Sequence, residues 1–178
     1  MARIQAGLVV WWSVAEGRRG RRWREAVADG GGLRHSLLLE TDPDGRFTHL
    51  ELATPSGLLT LHPEADGTLH GNAIEAAGIR HVVGLPWDPD GVVLLDGSPI
   101  SQAAAVHGPA SRRGRGAVEH PVLRLDAQLG LSMTPERLSG LGGGSWRVDR
   151  TGETITVDSE GLPLLGAATI WPLELDAE

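Results

Sequence analysis

Residues 78–107 constrain the fold most, because two strand patterns, a turn and a capped helix follow one another there without interruption. Alternate positions from Ile79 to Leu85 are apolar except for His81, which predicts a strand with His81 on its apolar face. Arg80 belongs to the opposite set of positions, and Pro86 and Trp87 end the strand. The interior of the protein is therefore expected near His81.

A turn, a short strand and a helix complete this segment. Residues 88–91 read Asp-Pro-Asp-Gly, in which proline presets φ for the first corner and glycine accepts the positive φ that closes the turn. The apolar residues 92–95 predict a buried strand. Ser98 is a suitable N-cap, Pro99 suits the first helical position, and Gly108 with Pro109 ends the helix.

The same tetrapeptide occurs at residues 42–45, between strand patterns at residues 33–41 and 47–53. Period-two alternation in the first of these strands puts His35 on the same face as Leu37 and Leu39. A second hairpin is predicted from residues 58–62 and 68–74. His35 thus repeats the position of His81, a histidine among inward-facing apolar side chains.

Ten or more short strands, regular turns and one convincing helix define the predicted architecture. It is mainly β, a single antiparallel β-barrel or strongly curved sheet with one short helix. A final strand is predicted at residues 169–175, and residues 134–136 predict a capped helical turn. The 178 residues are the size of one domain, so we expect a single β-barrel-like domain over residues 1–178.

Composition excludes several classes of protein and of partner. There is no cysteine, so disulfides and thiolate chemistry are excluded. The net charge of −7 disfavours a nucleic-acid partner, and no apolar run is long enough to cross a bilayer. We therefore expect a cytoplasmic protein without membrane insertion. All 16 basic residues are arginine, and the clusters at residues 18–24 and 112–115 are interpreted as solvated loops, with capture of an anionic ligand as the alternative.

No pattern of catalytic or metal-binding residues emerges. The seven histidines form neither a His-x-His nor a His-x-x-Glu-His pattern, so we predict no metal and no cofactor. Ser98, His81 and Asp96 are the residue types of a hydrolase triad, but Gly97-Ser98-Pro99 lacks the Gly-x-Ser-x-Gly elbow. Asp88 and Asp90 resemble part of a calcium loop, but apolar residues follow where acidic ones are needed.

Tryptophan is nearly the only aromatic residue, with six Trp against one Phe and no Tyr. Adjacent residues in a strand face opposite sides, so one of Trp11 and Trp12 faces the interior and the other a surface or dimer contact. A homodimer is accordingly one expectation. A pocket of Trp, Leu and Val with a few His and Arg groups would suit an amphiphile.

The layout of most of the chain resembles the glycolipid-binding family, a group of uncharacterised bacterial proteins with a curved β-barrel. The resemblance is carried by early tryptophan-containing strands, Leu-Thr-Leu and an Asp-Gly turn within residues 58–67, Leu-His-Gly-Asn at 69–72, Leu85-Pro86, Ser98-Pro99-Ile100 and residues 157–163. The central segment differs, with Gly-Leu-Pro-Trp at residues 84–87 in place of the family's Leu-Pro-Ile-Arg-Arg-Leu. The resemblance implies a lipid-like ligand and carries over no catalytic residue.

The functional hypothesis is binding of an amphipathic or lipid-like small molecule inside the curved sheet, near His35, Arg80, His81 and Trp87. One alternative is a small barrel enzyme of cyclase or isomerase type with His81 as general base beside a carboxylate. A second alternative is an interaction module whose interior is filled by its own side chains. A solvent-connected interior cavity would favour the first two hypotheses, whereas a fully packed interior would exclude both and leave the interaction module. A carboxylate beside His81 would favour the enzyme.

Overall fold

A seven-stranded antiparallel sheet forms the first part of the computed structural model, which describes residues 7–110 and 117–164. Its strands pair in chain order, each with the next. They are β1 (Val9–Gly17), β2 (Gly20–Asp29), β3 (Gly32–Thr41), β4 (Phe47–Thr54), β5 (Gly57–Pro63), β6 (Thr68–Glu75) and β7 (Gly78–Pro86). The described residues show no pairing between β1 and β7, so the sheet is curved and open.

Five further strands form a second sheet: β8 (Val92–Leu95), β9 (Ala117–Leu125), β10 (Leu131–Gly142), β11 (Ser145–Val148) and β12 (Glu153–Thr156). Their order is β12-β11-β10-β9-β8, and only β8 and β9 are parallel. A parallel pair needs a crossover. Helix α1 (Pro99–Ala105) and the wide helical turn Val106–Ala110 that follows it lie within this crossover.

Local signals explain the helix as predicted. The side chain of Ser98 accepts a hydrogen bond from the Ser101 N–H at 3.0 Å, and Pro99 occupies the first helical position. Helix α1 ends at Ala105, and the wide turn that follows leaves helical geometry at Gly108, with φ −81° and ψ −123°. Gly108 also packs directly on Gly45 of the β3–β4 turn, since a Cβ on Gly45 would lie 2.6 Å from the Gly108 Cα.

One hydrophobic core joins both sheets and the helix. Strand alternation supplies its first half, with Trp23, Leu37, Leu50 and Leu61 facing inward from successive strands. The second half comes from β8, from α1 and from inward positions of β9 to β12. The prediction of a mainly β fold with a curved antiparallel sheet and one short helix is confirmed.

The predicted helical turn at residues 134–136 is wrong. These residues lie within β10, where Thr134 pairs with Val122 and Glu136 with His120. The Thr-Pro-Glu pattern is a local helix signal, and the ladder to β9 overrides it. The strand predicted at residues 169–175 lies outside the described residues. Within the described residues, no helix is long and apolar enough to span a membrane.

Candidate functional site

His35 lies where the alternation of β3 predicts, facing the core, and it has a buried carboxylate as its partner. His35 Nε2 donates to Glu25 Oε1 at 2.7 Å, and the Glu25 side chain is fully buried. The other carboxylate oxygen of Glu25 accepts the Ile100 backbone N–H at 3.1 Å. Glu25 therefore connects the seven-stranded sheet to the first turn of α1, and His35 completes this connection.

His81 is exposed, so the prediction that it faces the interior is wrong. The cause is a bulge in β7, where Leu85 pairs with Leu69 and Val82 with Gly71, which leaves one extra residue in β7. Gly84 adopts the positive φ of 69° within this bulge. Alternation restarts at the bulge, so Val82 faces inward and His81 outward.

The surroundings of His81 also bear on the enzyme hypothesis. Its Nδ1 lies 2.7 Å from Asn72 Oδ1 on the neighbouring strand, and an amide oxygen can only accept a hydrogen bond. His81 therefore donates to an amide here. This partner is an amide and not the carboxylate that would have motivated His81 as a general base, and His81 lies on the outer face of the sheet.

Arg80 and Trp87 have structural surroundings. Arg80 is exposed, donates to Glu75 Oε1 from Nη2 at 2.9 Å, and reaches the backbone oxygen of Leu129 at 2.9 Å. Trp87 is buried and packs edge to face on Phe47, with ring centroids 5.5 Å apart. Trp87 thus belongs to the core.

The four residues predicted near a pocket do not form one site. His35 is on β3, and Arg80 and His81 are on β7, four strands away in the sheet. The concave side between them is covered by α1 and the second sheet. The space enclosed beside Leu39, Phe47 and Ala104 amounts to only about 10 Å³, which is too small for an amphiphile.

One larger cleft lies on the opposite, outward face of β1–β4, and another lies at the β1–β2 turn, where it also includes Glu16 and Arg21 from the inward side. We call them together the outer groove, with an arginine end and a tryptophan end. The register aligns its side chains in rows: Trp11, Ala26 and Ser36 form one, Ser13, Arg24, Leu38 and Glu51 the next, and Ala15, Arg22, Glu40 and His49 the third. Adjacent rows are two residues apart, about 7 Å along a strand.

The arginine end is a cleft of about 650 Å³ at the β1–β2 turn. Gly17 pairs with Gly20, so Arg18 and Arg19 form a two-residue turn between them. Both arginines are exposed. Four arginines and two glutamates line this cleft, which leaves an excess of two positive charges in a protein of net charge −7. This local charge favours an anion.

Two of the four arginines are held by the fold. Arg21 binds Glu16 at 2.7 Å and the backbone oxygen of Glu160 at 2.6 Å, and its guanidinium lies over the Trp23 ring. Arg22 donates to Glu40 from Nε at 2.6 Å. The exposed Arg18 and Arg19 are therefore the cations best placed to receive a ligand.

His107 lies beneath this end and packs edge to face on Trp23 at 5.6 Å. Burial lowers the pKa of His107, and the charge of Arg21 lowers it further. A neutral His107 lets the Arg21 guanidinium lie close by, with 3.5 Å between Nη1 and Nδ1.

The tryptophan end is a cleft of about 440 Å³ further along the same strands. Trp11 is 39% exposed there and is accompanied by the half-buried Ala26 and Leu38. Arg24 and Glu51 lie in the adjoining row. Trp11 and Gly17 are six positions apart on β1, so the two clefts together span about 20 Å along the strand.

Sequence reasoning missed this groove, although its signals were present. The arginine cluster is interpreted above as a solvated loop, but Arg22 and Arg24 are outward positions of β2 that alternate with the buried Trp23 and Glu25. The Trp11-Trp12 pair correctly indicated one inward and one outward indole. Within the described residues, no three His, Asp or Glu side chains are placed to hold a metal ion.

The fold and the groove define a class: a mainly β protein with an open curved antiparallel sheet whose concave side is filled. No protein-family model matches the chain, and no curated protein matches it. The chain is similar to the crystal structure of a DUF1089 family protein from Pseudomonas aeruginosa, with 19% identity, 86% of each chain covered and a TM-score of 0.54. This likeness shows the curved-sheet fold alone, so it leaves the ligand open.

Proposed function

We propose that this protein binds a small amphipathic molecule with an anionic head group in the outer groove, without catalysing a reaction. The observation that carries the proposal is the polarity of the groove: an excess of positive charge at one end and an exposed indole with apolar neighbours at the other. These two ends match the two ends of an amphiphile.

The dimensions support this choice. The groove is about 20 Å long. Half of a bilayer's hydrocarbon core is about 15 Å thick, which is the reach of one acyl chain. A chain lying along β1 and β2 from the Trp11 row would therefore bring its head group to Arg18 and Arg19. Both clefts fall in the range of about 300 to 1,000 Å³ that is typical of small-molecule sites.

Because the concave side is filled, ligand binding on the outer face is favoured over binding in the interior. A ligand inside the sheet would have to displace α1, which is held by the buried Glu25 carboxylate and by the contact between Gly45 and Gly108. The outer groove receives a ligand without such a rearrangement. His35, the predicted site residue with a carboxylate partner, lies on the filled side and has no access to the groove.

Isothermal titration with dodecyl phosphate and with the uncharged dodecyl maltoside, both below their micelle concentrations, tests the proposal. We expect the phosphate to bind and the maltoside to bind at least tenfold more weakly. Changing Arg18 and Arg19 together to serine should weaken dodecyl phosphate about tenfold, since each exposed charge contact contributes somewhat under 1 kcal/mol. Trp11→Ala should weaken the binding of both detergents.

Matched controls lie on the second sheet. Arg147 is an exposed arginine there and Leu141 an exposed apolar residue. Arg147→Ser and Leu141→Ala should leave binding unchanged. Equal affinity for the two detergents, or an equal loss in the control variants, would refute a site in the outer groove.

A further inference from the structure

The β7 edge carries a feature that the outer groove does not use. β7 is the last strand of the seven-stranded sheet, so in the described part of the chain one side of its backbone has no strand partner. Its outward side chains Ile79 and Val83 are 62% and 70% exposed, the highest values among the large apolar residues described. Ile74, opposite Ile79 on β6, is 50% exposed.

Unpaired apolar edges of this kind are templates for pairing with another strand. Proteins usually protect them with charges or a very short strand. β7 has one outward polar residue, His81, between Ile79 and Val83. Its inward Arg80 contacts the Leu129 backbone on the filled side and leaves the edge itself uncovered. The bulge at Gly84 ends the regular edge after Val83.

The sequence of this edge is symmetric about His81. Gly78 and Gly84 are three positions away on either side, and the exposed Ile79 and Val83 are two positions away. An antiparallel partner with the same sequence would place its Val83 opposite Ile79 and its Ile79 opposite Val83. A second copy of the chain therefore matches both apolar residues at once, as a twofold interface requires.

We propose that two copies of this protein pair through antiparallel β7 strands, with His81 facing His81 of the second copy across the twofold axis. The interface extends the apolar stripe of each sheet from Ile74 through Ile79 to Val83 of the other copy. This inference is independent of the proposed ligand, because β7 is remote in sheet order from the groove strands β1–β4.

The size of this interface fixes the expected affinity. Each Ile or Val side chain contributes on the order of 70 Å² of apolar surface. Two such residues per copy, with the strand backbone, stay below the roughly 1,200 Å² of a stable complex. We therefore expect a weak dimer with Kd between about 10 and 1,000 µM.

The absence of native cysteine makes site-specific cross-linking the sharpest test. Residues directly opposite in antiparallel strands have Cα atoms about 4.5 to 5.5 Å apart, within the range that a disulfide spans. His81→Cys should therefore cross-link to itself under mild oxidation. Ile79→Cys should not, because two Ile79 residues are offset by four positions, about 13 Å. A mixture of Ile79→Cys and Val83→Cys should cross-link.

Sedimentation velocity over 10 µM to 1 mM completes the test. The fraction of dimer in the wild-type protein should rise with concentration, and Val83→Asp should weaken the dimer affinity at least tenfold. Leu141→Asp, at a 53% exposed position on the second sheet, is the matched control. A monomer at 1 mM would overturn the proposal. So would Ile79→Cys cross-linking to itself as readily as His81→Cys, or His81→Cys giving no cross-link while the wild type dimerises.

Discussion

Glu136 provides the sharpest test of what holds the second sheet together. Its fully buried carboxylate accepts two hydrogen bonds from Arg124, from Nε at 2.5 Å and from Nη2 at 2.7 Å. Thr134 Oγ1 donates at 3.1 Å, and Arg150 lies 3.1 Å away. We predict that Glu136→Gln, which keeps the size and removes the charge, destabilises the fold.

The magnitude follows from what Arg124 retains. Removing one partner of a fully buried ion pair costs about 3 to 5 kcal/mol. Arg124 keeps Asp96 at 3.0 Å and its side chain is 13% exposed, so solvent and Asp96 compensate in part. We expect a loss of about 2 kcal/mol, which lowers Tm by about 4 to 8 °C in a chain of this length.

The pH dependence of this difference gives an independent readout. Burial by itself would raise the pKa of Glu136, but the hydrogen bonds and charge of Arg124, with Thr134 and Arg150, hold it below its usual value. A carboxylate with a lowered pKa in the folded state stabilises the fold above its unfolded pKa. That contribution is lost as the pH falls through the folded pKa. The difference in free energy of unfolding between wild type and Glu136→Gln should therefore have its full value at pH 7 and become smaller below about pH 4.5.

Urea unfolding followed by tryptophan fluorescence at pH 7 and at pH 3.5 measures both effects. Arg147→Ser is the control, because Arg147 pairs with Asp149 at 3.1 Å on the exposed side of the same sheet. It should change stability far less than Glu136→Gln. A loss below about 0.5 kcal/mol in Glu136→Gln at pH 7, or a gap that widens in acid, would refute this account of the network.

Three further predictions concern other parts of the fold. Glu25→Leu removes the acceptor of both His35 and the α1 backbone, so it should cost about 3 kcal/mol in urea unfolding, and an unchanged midpoint would contradict the buried connection. Gly84→Ala places a side chain at a φ of 69° and should cost about 1 to 2 kcal/mol from backbone strain alone, because the space around it is open; a neutral effect would argue against the bulge. His107 has a lowered pKa in the folded state, so wild-type Tm should fall from pH 7.5 to pH 5.5 more than that of His107→Phe, and parallel curves would exclude this contribution.

The sequence predicted those features that depend on neighbouring residues. The duplicated Asp-Pro-Asp-Gly turns occur where expected, with Asp42 and Asp88 each accepting the N–H of the glycine three residues later. Gly45 adopts the predicted positive φ, at 73°, and Gly91 does not. Ser98 caps α1 as predicted, and His35 faces the core from β3. Each of these follows from a hydrogen bond or a side-chain alternation that spans only a few residues.

The location of the candidate site depends on contacts between residues far apart in the sequence, and no local pattern predicts such contacts. His81 was predicted inward because alternation was assumed to continue through Gly84, but pairing with β6 inserts a bulge there and reverses the face of the strand. The arginine cluster became one end of a groove only because β2 lies between β1 and β3. The sequence allows Trp87 either to line a pocket or to pack in the core. Its edge-to-face contact with Phe47, from a distant hairpin, places it in the core.

The sequence by itself therefore determined the fold class of this protein. Its many short strands, tight turns and one capped helix follow from local propensity and period-two alternation. The tertiary structure alone decided which face of the sheet is filled and which is free. Packing of α1 and the second sheet covers the concave side, since burying apolar surface is favourable wherever two faces fit. Among the described residues, the outer face of β1–β4 and the edge of β7 stay accessible.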